Sequence, residues 1–311
     1  QNRFFHWRLQ FPEVFERESP GFDVVLGNPP WEVSQLSEEE FFAARDPDIA
    51  GLAGDTRKQA IQALRDSNLT LYEEYERARF ALAAANRFYR GSGRFTLTAH
   101  GKLNLYPLFS ELALNLYSQK GRVGIVVQRG IATDDSNKRY FQAVIEGKYL
   151  SSLLDFENSE GLFKRVHRSF NFCLLTLAND IESAELLFYA TNEVDLTDES
   201  RRIHLEPDDF LRINPNTLTT PTFRADMDAQ ITREIYKRVP VFVREREPSS
   251  NPWKVTFKQG LFNMTSASHL FINYDKLMTA DAQLEGNQFH LGNQRYLPLY
   301  EAKMVHHYDH R

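Results

Sequence analysis

Asn28, Pro29, Pro30 and Trp31 bring together the groups needed to hold a planar amino group beside a ring. An amine attached to a nucleobase is a poor nucleophile, because its lone pair is delocalised into the ring. Two acceptors placed on its two N–H groups favour a pyramidal nitrogen with an available lone pair. An Asn side-chain oxygen and the next backbone carbonyl supply such a pair, and proline rings fix the backbone that aims them. An aromatic ring alongside can stack on the base, worth about 1–3 kcal/mol. A base in a duplex must first leave the stack, and unstacking costs free energy. The bland alternative is a proline-stiffened turn that buries its Trp.

The elements around the tetrapeptide decide between these readings. Phe22–Gly27 (Phe-Asp-Val-Val-Leu-Gly) is a short apolar run, β-branched in the middle and closed by the proline pair. It predicts a buried strand that stops abruptly in a loop. Ligands of open α/β sheets bind beyond the carboxyl ends of strands, which is where Asn28 would stand. Residues 32–94 are expected to form a largely helical insertion, with helical spacing over Leu69–Tyr89. Leu105–Tyr117 predicts an amphipathic helix ended by Gly121, with a strand next over Val123–Val127. Thr133 or Asp134 is expected to cap a helix through Ile145, ended by Gly147. Further strands are expected over Leu150–Phe156, Phe170–Leu177 and Ala184–Ala190. The rhythm predicts an α/β sheet with at least partly parallel strands. A boundary is expected within 195–222, then a helix over Asp226–Arg238, then irregular chain from Pro248.

Phe22 to Trp31 resembles the catalytic motif of gamma-class N6-adenine DNA methyltransferases of the large restriction–modification and phage-defence type. The segments Asn104–Leu116, Gly121–Val127, Ser151–Phe156, Gly161–Phe163 and Phe170–Leu177 are similar to the family's elements downstream of that motif. So are Asn251–Trp253 through Phe262, and Pro298–Glu301 through Arg311, which lie where the family's target-recognition region begins. The resemblance implies a partial Rossmann-like methyltransferase sheet, its C-terminal half, over residues 1–200, and an α+β recognition-type region over 201–311. It implies that Asn28 and Pro29 hold the adenine amine and that Trp31 stacks on the flipped base, with Pro30 completing the motif. It also implies a second stacking aromatic before the last strand, for which Phe163 is the best match and Phe170 the alternative. The implied cofactor is S-adenosylmethionine. The family binds it on a Gly-rich strand–loop–helix upstream of the motif, and Gln1–Gly21 contains no Gly-x-Gly. The main cofactor motif is therefore expected outside this chain, leaving Asn28 nearest the methyl donor, and the chain reads as an excised fragment.

Composition narrows the partners. The net charge of −5 excludes coating of nucleic acid by bulk charge but leaves room for a local basic cleft. Lys164, Arg165 and Arg168 lie just after Phe163 and are candidates for phosphate contacts, which position DNA without reading it. Lys237–Arg238 and Arg244–Arg246 read as surface features. The lone cysteine, Cys173, lies in an apolar run and reads as a small buried hydrophobe, which fits a reducing cytoplasm. His306, His307, Asp309 and His310 cluster, but two adjacent His suit one metal poorly, and no metal site is expected. The expected partners are double-stranded DNA and the remainder of the polypeptide or a companion subunit, with no membrane. A non-catalytic DNA- or partner-binding module is the alternative function; an RNA or protein-glutamine methyltransferase is a third.

Overall fold

The structure, a computed structural model, describes residues 5–164, 166–245, 247–256, 263, 265–299, 305–306 and 309–310. Two compact units divide between Asn251 and Pro252. That division lies some fifty residues beyond the 200/201 boundary read from the sequence, because the elements after residue 200 still pack on the sheet.

Two short helices, α1 (Trp7–Gln10) and α2 (Pro12–Phe15), precede β1 (Phe22–Gly27). The insertion comes next as α3 (Glu38–Ala43), α4 (Pro47–Ala50), α5 (Gly54–Ser67) and α6 (Leu69–Gly91). Ser37, Asp46 and Asn68 cap three of its helices with side-chain oxygens. The insertion has its own core of Phe42, Ile61, Leu64, Leu71, Tyr72 and Tyr75 with Ile49.

The sheet then grows through α7 (Leu105–Leu114), β2 (Tyr117–Gln128), α8 (Gly130–Thr133), α9 (Lys138–Glu146), β3 (Leu150–Glu157), β4 (Asn171–Leu177), β5 (Ala184–Ala190) and β6 (Ile203–Leu205). Helices α10 (Pro207–Ile213) and α11 (Asp226–Arg238) complete the unit. The strand order is β1-β2-β4-β3-β5-β6. β1 and β2 are parallel, as are β3 and β5, while β4 runs antiparallel between β2 and β3. The result is a mixed α/β sheet. Alternation along β4 sends Cys173, Leu175 and Leu177 to the face covered by α7, α9, α10 and α11, where the main core lies. Phe172 points to the other face, with Phe156, Leu187 and Trp31.

Two sequence expectations fail for physical reasons. The helix from Leu105 ends at Leu114, and Tyr117 already belongs to β2. Gly121 is thus no helix stop. It sits inside the strand beside a register shift, and a Cβ there would lie 2.6 Å from the Phe22 carbonyl oxygen, so the glycine permits close backbone approach. Neither Thr133 nor Asp134 caps α9. The chain turns helical earlier, at Gly130, and reaches α9 through a 3-10 turn over Asp135–Asn137. Asn137 instead donates to the Gly130 carbonyl at 2.8 Å and to the Tyr106 hydroxyl at 3.2 Å.

One strand pairing carries a buried charge. Leu154 and Phe156 of β3 face Leu187 and Ala190 of β5, so β5 has an extra residue between these pairs. Tyr189 takes φ +60° there, and its freed N–H donates to Asp155 at 3.0 Å. Asp155 is fully buried, and its other oxygen accepts from Arg129 Nε at 2.7 Å. Burial pushes the Asp155 carboxyl above its ordinary range; Arg129 and the Tyr189 N–H pull the other way.

The second unit contains α12 (Tyr274–Thr279), a three-stranded antiparallel sheet of β7 (Gln283–Glu285), β8 (Gln288–Leu291) and β9 (Gln294–Tyr296), and the paired β10 (Val305–His306) and β11 (Asp309–His310). The chain after Pro248 is therefore more regular than its composition predicts.

Candidate nucleobase-binding site

β1 delivers Asn28 to the carboxyl end of the parallel pair β1–β2; the strand and its proline stop are as predicted, but the strand is not buried, because it lies at the end of the sheet. The Asn28 side chain is exposed and makes no hydrogen bond among the described residues. It stands at the rim of a cleft of about 470 Å³ lined by Val24, Leu26, Gly27, Pro29, Pro30 and Phe109, with further apolar side chains from α7. β1 is the terminal strand of the sheet on this side, with Val24 67% and Leu26 83% exposed.

The segment after Asn28 is pinned. Trp31 is half-buried, and its indole N–H donates to the Val126 carbonyl at 3.2 Å. Val33 bridges to Asn104, and Leu105 N–H donates to the Glu32 carbonyl at 2.9 Å. Ser34 and Asn86 exchange two hydrogen bonds, of 2.6 and 2.8 Å, which tie this segment to α6. Trp31 stacks on Phe172 with centroids 6.3 Å apart and planes 28° apart. Phe172 in turn stacks flat on Phe156 at 5.2 Å and meets the edge of Phe163 at 4.9 Å.

Trp31 and Phe163 are thus brought to one aromatic row through Phe172. Phe163 and Phe170 are 40% and 44% exposed, but the described contacts tie only Phe163 to that row. Lys164 and Arg168 project into solvent on the same loop, and Arg165 lies outside the described residues. Arg129, at the end of β2, serves the opposite face: it pairs with Asp155, and its guanidinium carbon lies 5.0 Å from the Tyr189 ring. Phe172, Asn158 and Arg129 are site neighbours that sequence reasoning missed. Phe172 lies in a run that reads only as core, and the other two act through tertiary contacts that leave no periodic trace.

Cys173 is buried, and its surroundings push the thiol far up, as befits a packed hydrophobe. His100 lies against Arg139, with 2.8 Å between His100 Nε2 and the guanidinium. The side chains of His306, Asp309 and His310, and all of His307, lie outside the described residues, as do most of 257–264 and 300–304. No helix among the described residues is long and apolar enough to cross a membrane.

Residues 1–62, which contain β1 and Asn28–Trp31, match the family model described as Eco57I restriction-modification methylase. No curated protein matches the chain. Solved structures resemble it only distantly. The type I restriction-modification system methyltransferase subunit from Streptococcus thermophilus is 13% identical, with a TM-score of 0.36, over 65% of this chain and 38% of that one. The type IIG restriction endonuclease BpuSI is 15% identical, with a TM-score of 0.32, over 69% of this chain and 20% of that one. The chain spans less than two fifths of the length of either.

Proposed function

We propose that this chain is the acceptor-binding part of an S-adenosylmethionine-dependent adenine-specific DNA methyltransferase of a restriction–modification or phage-defence system. One observation carries the reading. Asn28 stands free at the carboxyl end of β1 on a proline-fixed backbone, inside the span that matches a restriction-modification methylase model.

In this reading the Asn28 side-chain oxygen and the Pro29 carbonyl accept the two N–H groups of the adenine amine, and Pro30 holds the turn rigid. Their work is electrostatic: they favour the pyramidal nitrogen and the positive charge that grows on it during transfer. Trp31 and Phe163 receive the flipped base, and Lys164 and Arg168 meet DNA phosphates. S-adenosylmethionine, when bound, supplies an electrophilic methyl group. The chain's own fit to it is partial. Residues 7–15 are the short helices α1 and α2 and offer no Gly-x-Gly cradle, while Asn28 on the cleft rim suits a position facing the methyl group. The main cofactor motif is assigned to polypeptide that adds at the open edge of β1, whether the same chain or a companion subunit. The 1–200 and 201–311 division is kept as a functional one: methyltransferase half, then start of target recognition.

The test uses the complete protein that carries these residues, with unmethylated genomic DNA and labelled S-adenosylmethionine. Asn28→Ala should lower adenine methylation by about 10²–10³, the effect of removing one hydrogen-bond partner specific to the transition state. Undiminished methylation would refute the assignment.

A further inference from the structure

We propose that Asn158 is a positioning residue that clamps the loop between β3 and β4 and so fixes where Phe163 stands; its catalytic relevance rests on the function proposed above.

Asn158 comes directly after β3 and is fully buried, although the loop it precedes is largely exposed. Every polar atom it carries is engaged with that loop. Its N–H donates to the Phe170 carbonyl at 3.1 Å, and its carbonyl accepts from Gly161 N–H at 2.9 Å. Its side-chain oxygen accepts from Phe163 N–H at 2.9 Å. Its side-chain NH₂ donates to the carbonyls of Phe163, at 3.1 Å, and Val166, at 2.9 Å. Both main-chain polar groups of Phe163 therefore bond to one side chain.

The chemistry of that side chain is specific. It must accept one bond and donate two within a space closed to water. A carboxamide does so while neutral, whereas a carboxylate would set oxygen against two carbonyl oxygens. Gly161, at φ +76°, lets the chain double back so that Phe163 comes within reach. The clamp holds the Phe163 backbone while Phe172 buttresses its ring. An exposed aromatic on an unclamped loop would sample many positions, and a base-stacking surface placed by such a loop would be assembled only part of the time.

The experiment compares the complete wild-type protein with Asn158→Ala, Asn158→Asp, Phe163→Ala and the Asn158→Ala/Phe163→Ala double variant. Amide hydrogen exchange at Phe163 reads the clamp; methylation kcat and DNA Kd read its use. Protection of the Phe163 amide should fall at least tenfold in Asn158→Ala while the β3 and β4 amides keep theirs. The kcat should drop tenfold or more with Kd within twofold, and the double variant should be no slower than Phe163→Ala alone. If Ala is not tolerated, Asn158→Asp, which keeps the volume, carries the same kinetic expectation. A wild-type kcat in an Asn158 variant, or losses that multiply in the double variant, would overturn the proposal. Absence of methyl transfer by the wild type would instead refute the proposed function. The exchange data then decide the clamp by themselves: lost Phe163 protection upholds it, retained protection refutes it.

Discussion

Replacing Arg129 with Ala should strand a charge. Asp155 is wholly buried, and Arg129, with only 16% of its side chain exposed, is its sole cationic partner among the described residues. Removing one member of a buried pair costs about 3–5 kcal/mol, because the other charge stays desolvated. The lower end, about 3 kcal/mol, is expected here, since Asp155 keeps the Tyr189 N–H. The loss should depend on pH. Burial raises the folded-state pKa of Asp155 above the unfolded value, so at pH values between the two the native state holds a proton that the unfolded chain has released. Its contribution to stability is therefore most favourable below the unfolded pKa of about 3.9 and falls as pH rises to the folded value. Without Arg129 that folded value climbs and the window widens upward. Urea denaturation monitored by Trp fluorescence should show a smaller deficit for Arg129→Ala at pH 5 than at pH 7.5. Adding Asp155→Asn, which removes the charge and keeps an acceptor for Tyr189, should restore part of the stability and flatten the pH dependence. A deficit equal at both pH values, or no rescue by Asn, would refute the account.

The packing around the site sets two further outcomes. Phe172→Ala should destabilise the sheet unit by about 3–5 kcal/mol, since it removes a buried ring in contact with Trp31, Phe156 and Phe163, and Phe172→Leu should cost less; denaturation midpoints measure both. Cys173 should resist a thiol-modifying reagent in the native protein at pH 8 and react fully in denaturant, because burial holds the thiol in its protonated form; mass spectrometry reads the adduct.

Local signals in the sequence are legible where one element carries them alone. β1 and its proline stop, the helical insertion, β3 through β5 and α11 can all be read from apolar periodicity and turn residues. Glycines are harder. Gly147 does end α9, but Gly121 serves a close approach between two strands, a role set by the distant Phe22 backbone. The placement of β4 between β2 and β3 depends on pairings among distant segments, so the run 170–177 reveals a strand but not its direction or neighbours. The same holds for the site. Asn28 is marked by its rigid neighbours and its position. Asn158 is an ordinary polar residue until the fold returns Phe163 and Val166 to it, and Asp155 is an unremarkable acid until the extra residue in β5 turns an N–H toward it.

The exposed flank of β1 bears on how this polypeptide behaves in isolation. Among the described residues, the side of this six-residue strand turned away from β2 leaves its outward main-chain donors and acceptors unpaired, with Val24 and Leu26 exposed and one charge, Asp23, held by Arg17 at 2.6 Å. Proteins usually blunt such an edge with lysines, prolines or distortion, and here the prolines come only after the strand has ended. Uncovered, the strand is a template for pairing with a second molecule, so self-association that rises with concentration is the natural fate of this unit wherever that edge stays bare.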